Sequence, residues 1–144
     1  MCALITVLKN KLLPPLDQGL AALMDDLAAT GLLEQTLVLV MGEFGRTPKI
    51  SNLPGETLPG RDHWAHTYSG LFAGAGVVGG QVIGQTDDRA AYPVTHPWSP
   101  ADICSTLFNA LGVEHDVTIV DPLQRPHHLL NGTIITPLYT GRSS

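Results

Sequence analysis

Leu37-Val38-Leu39-Val40-Met41 runs directly into Gly42-Glu43-Phe44-Gly45-Arg46-Thr47-Pro48, and the reading of this stretch decides the fold. Five apolar residues without a break predict a strand covered on both faces. The chain then opens into a polar loop. Gly60-Arg61-Asp62-His63-Trp64-Ala65-His66 follows, and a second apolar run, Tyr68 to Ala73, closes at Gly74-Ala75-Gly76. Buried strand, loop rich in acids, bases and arginine, buried strand: in an open α/β sheet, sites lie just beyond the carboxyl ends of the strands, where these polar residues fall.

Upstream, Pro14-Pro15 introduces Leu16, Leu20, Leu23, Met24 and Leu27 at helical spacing, with Asp17, Gln18, Asp25 and Asp26 largely opposite. Proline is tolerated in a first helical turn, and Gly31 is a plausible stop. The expected helix of 16–29 packs on one face of a sheet holding the strand of 36–41. Helix, short turn and strand make the αβ unit of a layered α/β fold with flanking helices. Residues 42–62 form a connection longer than most, a length usual for functional or disordered loops.

Downstream, Gly74 to Gly76 and Gly79-Gly80 read as backbone turns; no phosphate-cradle spacing is met. Gln81 to Gly84 reads as a short strand. Ser99-Pro100-Ala101-Asp102 starts a second helix with Ser99 as N-cap and Asp102 as the acid of a capping box. Ile103, Leu107 and Leu111 share one face, with Ala110 beside them, and Gly112 ends it. Residues 113–144 read as an irregular segment of short strands and turns, with Asn131-Gly132 favouring a hairpin turn. That turn also accounts for the glycosylation sequon Asn131-Gly132-Thr133.

Composition narrows the function classes. With 144 residues, 44% hydrophobic and 15% charged, the chain suits one domain, residues 1–144. A net charge of −5 and scattered basic residues argue against a nucleic-acid partner. No apolar run approaches the roughly 20 residues of a membrane span. The apolar start, Met1 to Leu8, precedes Lys9 and Lys11 rather than following basic residues, the wrong order for a secretory signal. Cys2 and Cys104 give neither a disulfide framework nor metal-ligand spacing, and Cys104 reads as a small core residue. A Ser-His-Asp hydrolase is set aside, because no G-x-S-x-G elbow is present.

Glu43, Asp62, His63 and His66 are the candidate ligands for a divalent metal ion such as zinc, calcium or manganese. Glu43 stands between glycines that allow close backbone approach, and the histidines three residues apart share a side if their segment is helical. The plain alternative for Glu43 is a solvated loop acid. Arg46 and Arg61 are the candidates for an anionic oxygen, with a salt bridge to Glu43 or Asp62 as the alternative for Arg46. Trp64 either walls the pocket or packs. No catalytic nucleophile is identified.

At these residues the sequence resembles the DUF1501 family. The resemblance is carried by Leu13-Pro14-Pro15-Leu16-Asp17, by Met41 to Pro48, by Gly60 to Trp64, and by the segments at 73–76 and 79–84; it spans about Lys9 to Asn131. Members are bacterial and frequently exported. They are similar to the alkaline phosphatase and sulfatase superfamily of metal-dependent enzymes acting on phosphate and sulfate esters. The resemblance implies that fold, a divalent ion, and an anionic ester substrate for the complete protein. Where the superfamily ends a strand in a metal-binding Asp-His pair, this chain has Gly42-Glu43, so only Glu43 could ligate. His63 fits the place of a later histidine ligand, with His66-Thr67 as its rival. Asp102, Thr106 and Leu111-Gly112 resemble the following helix, structural in relatives.

The family's upstream Trp-Asp-Thr-His segment has no counterpart in Met1 to Leu8. The resemblance therefore implies the C-terminal portion of an incomplete fold, not catalytically competent alone and inclined to self-associate or to need the missing N-terminal part. The alternative is a non-catalytic binding or assembly module on the same scaffold.

Overall fold

In a computed structural model describing residues 3–52 and 59–141, the two apolar runs pair directly with each other. The elements in order are β1 (Ala3–Leu4), α1 (Ile5–Val7), a π-helical stretch Leu8–Leu12, α2 (Leu13–Ala29), a 3-10 turn Leu32–Glu34, and β2 (Val38–Met41). Then come β3 (Gly45–Arg46), β4 (Ser51–Asn52), β5 (Pro59–Arg61), β6 (His63–Trp64) and β7 (Gly70–Ala73). α3 (Pro100–Ala110), β8 (Thr118–Val120), β9 (Pro126–His128) and α4 (Pro137–Thr140) are the last elements among the described residues. Met1, Cys2 and positions 53–58 and 142–144 lie outside the described residues.

The class is mixed helix and strand, but the sheet is not the expected layered one. β2 and β7 form an antiparallel ribbon, Val38 opposite Ala73 and Met41 opposite Gly70, with no further strand among the described residues. The other sheets are small antiparallel groups: β1–β5–β4, β3–β6 and β8–β9. The expectation that residues 36–41 lie inside a sheet covered on both faces is corrected. Met41 is 38% and Leu71 44% exposed, and β2 is half-buried elsewhere. An unbroken apolar run specifies burial, and periodicity alone does not say how many strands share it.

The helical reading of α2 holds, and Gly31 takes the left-handed conformation (φ +74°) just after the C-cap Thr30. Its packing differs from expectation. Leu20, Met24 and Leu27 are half-buried, Leu23 is 47% exposed, and no residue of α2 is fully buried.

The best-buried part of the chain lies elsewhere. Ser99 caps α3, its side chain accepting from the Asp102 amide while Asp102 accepts from the Ser99 amide at 2.6 Å, the capping box read from the sequence. The same carboxylate reaches across to the chain after Asn131. Oδ1 accepts from the Thr133 amide at 2.6 Å and the Thr133 hydroxyl at 3.0 Å. Thr106 Oγ1 donates to the Asp102 carbonyl and accepts from the Ile135 amide. Ser105 and Thr106 are buried, as are Leu130, Ile135 and Leu138. The segment expected to be irregular thus closes the fold onto α3. No hairpin turn forms at Asn131-Gly132; the hairpin is β8–β9, which turns earlier, between Val120 and Pro126. Gln81 to Gly84 is not a strand, and Cys104, on the outer side of α3, is exposed rather than core.

Candidate functional site

Because β2 and β7 are antiparallel with Met41 opposite Gly70, the chain leaves β2 and enters β7 at the same end of the ribbon. Within that excursion β3 pairs with β6, Gly45 opposite Trp64 and Arg46 opposite His63. The pairing continues one step: the Thr47 amide donates to the Asp62 carbonyl at 2.9 Å, and the Asp62 amide to Thr47 Oγ1 at 3.1 Å. Gly45 is what allows this closeness. A Cβ there would overlap the Thr67 carbonyl and press on that of Trp64.

This small ladder sets Glu43 against His63. Glu43 Oε1 and His63 Nε2 are 3.0 Å apart, with the Phe44 ring 5.3 Å from the imidazole between centroids. Glu43 is an exposed acid at the rim. A hydrogen bond to its own backbone amide holds the carboxyl below the usual range. Desolvation opposes this, and the charges of His63 and then Arg46 add to it.

The other candidates are placed differently. Asp62 Oδ1 accepts from the His63 amide at 2.8 Å, so it shapes the turn before His63. His66 packs edge-on against Trp64 (4.6 Å) and tilted against Tyr92 (5.0 Å), between ring centroids. Trp64 both packs and is tethered, its Nε1–H donating to the Ala91 carbonyl at 2.7 Å. Arg61 braces the loop from beneath, donating to the carbonyls of Thr47 and Arg46. Among the described residues, no three of His, Cys, Asp and Glu come together.

Glu43 and His66 line a cleft of about 950 Å³ whose walls include Phe44, Tyr68, His96 and Trp98. His96 and Trp98 meet edge to face at 4.9 Å. Nothing in the sequence singles them out, since they sit some thirty residues from the motifs in a stretch without regular structure.

A family model described as "Protein of unknown function (DUF1501)" matches residues 5–138. The chain belongs to the DUF1501 family. The curated proteins and the solved structures yield no match. For DUF1501, the match encloses the ladder of β3 and β6, the Glu43–His63 pair and the α3 anchor alike. No helix among the described residues is long and apolar enough to cross a membrane.

Proposed function

We propose that this DUF1501 chain carries part of a divalent-metal site, in a fold of the alkaline phosphatase and sulfatase type acting on phosphate or sulfate esters. Glu43 and His63 are its ligands, and the chain does not turn over such esters by itself. The Glu43 Oε1–His63 Nε2 contact of 3.0 Å carries the reading. The contact is a hydrogen-bonded ion pair, and its length also falls within the range of about 3.0–3.4 Å at which two ligands bonded at about 2.1 Å to one ion stand from each other, so an ion could take the place of the shared proton. A catalytic ion takes about three protein ligands. The donor set therefore fits one side of a site, with further ligands coming from outside the described residues. Bound there, the ion would polarise an ester oxygen. Arg46 stands near enough to Glu43 to lower its pKa, which keeps a cation at the same rim.

A non-catalytic binding module is the second reading, favoured by one observation. Among the described residues lining the cleft, Glu43 is the one Asp, Glu, Lys or Arg side chain, so without an ion the cleft suits a neutral guest better than an anion.

Calorimetric titration with zinc, manganese and calcium, beside a phosphate- and sulfate-ester assay on monodisperse protein, tests the proposal. Weak binding, with Kd above about 1 µM, that is lost in Glu43→Gln and His63→Ala, together with no turnover, is expected. Tight binding with turnover that disappears in His63→Ala would make the chain a complete small enzyme. Binding indifferent to both substitutions would remove the metal site.

A further inference from the structure

The outer face of α2 is apolar where a surface helix is ordinarily polar. Leu12, Leu16 and Leu23 are 54%, 51% and 47% exposed. Together with Gly19 they follow a four-three-four spacing, which places them on one line along the helix, separate from the half-buried Leu20, Met24 and Leu27. Gly19 has open space where a side chain would be. A groove lined by Leu13, Pro14, Leu16, Asp17 and Leu20 runs beside the line.

The charges on this rod specify what covers it. Residues 5–29 are continuously helical, and α2 alone spans about 25 Å at 1.5 Å per residue. Exposed Lys9 and Lys11 lie near its N-terminal end, and exposed Asp25 and Asp26 near its C-terminal end. That is the reverse of what the helix macrodipole favours, so the isolated rod is electrostatically mismatched. An antiparallel second rod of the same sequence corrects the mismatch. Each lysine end then meets an aspartate end, and the opposed macrodipoles offset each other. The register follows from the apolar line: when Leu12 faces Leu23 of the other copy, Leu16 faces its Gly19, a large side chain set against an open position. A parallel pair would instead put lysines on lysines and aspartates on aspartates.

We propose that residues 5–29 form an antiparallel two-helix interface with a second copy of this chain, centred between Leu16 and Gly19 and flanked by pairs of Lys11 with Asp26. Both sides of this isologous contact are the same surface, as two-fold symmetry requires.

Sedimentation equilibrium of the 144-residue chain, with reductant present because Cys104 is exposed, reads the result directly. A monomer–dimer equilibrium with Kd on the order of micromolar is expected, weakening as salt screens the flanking pairs. Leu16→Glu should abolish the dimer with an unchanged far-ultraviolet circular dichroism spectrum. Should that variant unfold, the charge exchange decides. Lys11→Glu and Asp26→Lys singly should each raise Kd about fivefold or more, and the two combined should restore it. A wild-type chain that stays monomeric at about 200 µM overturns the proposal. So does a dimer that survives Leu16→Glu, or a double exchange that fails to restore association.

Discussion

Removing the Asp102 carboxylate should loosen the join between α3 and the closing segment more than any comparable surface change. In the folded chain its two oxygens accept four hydrogen bonds, from the amide and hydroxyl of Ser99 and the amide and hydroxyl of Thr133, at 2.6 to 3.0 Å. Loss of an N-cap interaction costs about 0.5–2 kcal/mol, and hydrogen bonds to a charged group contribute about 1.5–3 kcal/mol each. These do not simply add, because Ser99 and Thr133 are exposed and water can take over part of their bonding. A net loss of about 3 kcal/mol for Asp102→Ala follows, a large share of the roughly 5–15 kcal/mol of a typical domain. The same bonds, the Ser99 hydroxyl foremost and then the Thr133 amide, hold the Asp102 carboxyl well below the usual carboxylate range. The sign of the pH dependence follows. The unfolded chain takes up this proton first, near the ordinary value of about 3.9, so the contribution is complete above about pH 5 and fades as the pH falls toward the depressed folded value. Urea unfolding at neutral pH, and again at intervals down to about pH 3, measures both effects. The reasoning fails if Asp102→Ala lies within about 0.5 kcal/mol of wild type, or if Asp102→Asn keeps the full acid slope.

Gly45→Ala should lower stability by about 2 kcal/mol or more, because the Cβ would meet the Thr67 carbonyl; it should also disturb the imidazole of His63 in nuclear magnetic resonance spectra. An unperturbed variant would mean the ladder of β3 and β6 is loose. Trp64→Phe keeps a ring against His66 and Tyr92 but loses the donor to Ala91, so thermal unfolding should show a loss of about 1 kcal/mol, and no loss would make that hydrogen bond incidental. Arg61→Met, which removes the brace on the Arg46 and Thr47 carbonyls, should raise hydrogen exchange at Thr47 and Asp62 by about tenfold while leaving Leu107 and Phe108 unchanged; equal protection in both would dismiss the brace.

Local signals in the sequence translated well where a few adjacent residues determine the outcome. Ser99, Pro100 and Asp102 specify a capped helix start through bonds made within one turn, and Gly31 ends α2 through its own backbone freedom. The placing of acid and histidine at one end of two paired runs was likewise legible, because each polar motif directly adjoins an apolar run. What the sequence did not carry was partnership over distance. Nothing local distinguishes a strand inside a broad sheet from one half of a ribbon, so β2 read as more deeply covered than it is. Nor does anything local show that Thr133 and Ile135 close on α3; their amides find Asp102 and Thr106 some thirty residues back. Asn131-Gly132 has the composition of a hairpin turn, but tertiary hydrogen bonds to α3 determine its course. His96 and Trp98 join the cleft for the same non-local reason.

The measurement that most directly tests the proposed site is the response of the individual histidine rings to zinc, followed by nitrogen-15 correlation spectra of the imidazoles. The account predicts that His63 shifts first and that its response is lost in Glu43→Gln, since those two donors stand 3.0 Å apart. His115, outside the cleft that Glu43 lines and held against the Gly132 carbonyl, should stay in place at the same zinc concentration. Zinc that moves His96 or His115 while His63 remains unchanged would contradict it.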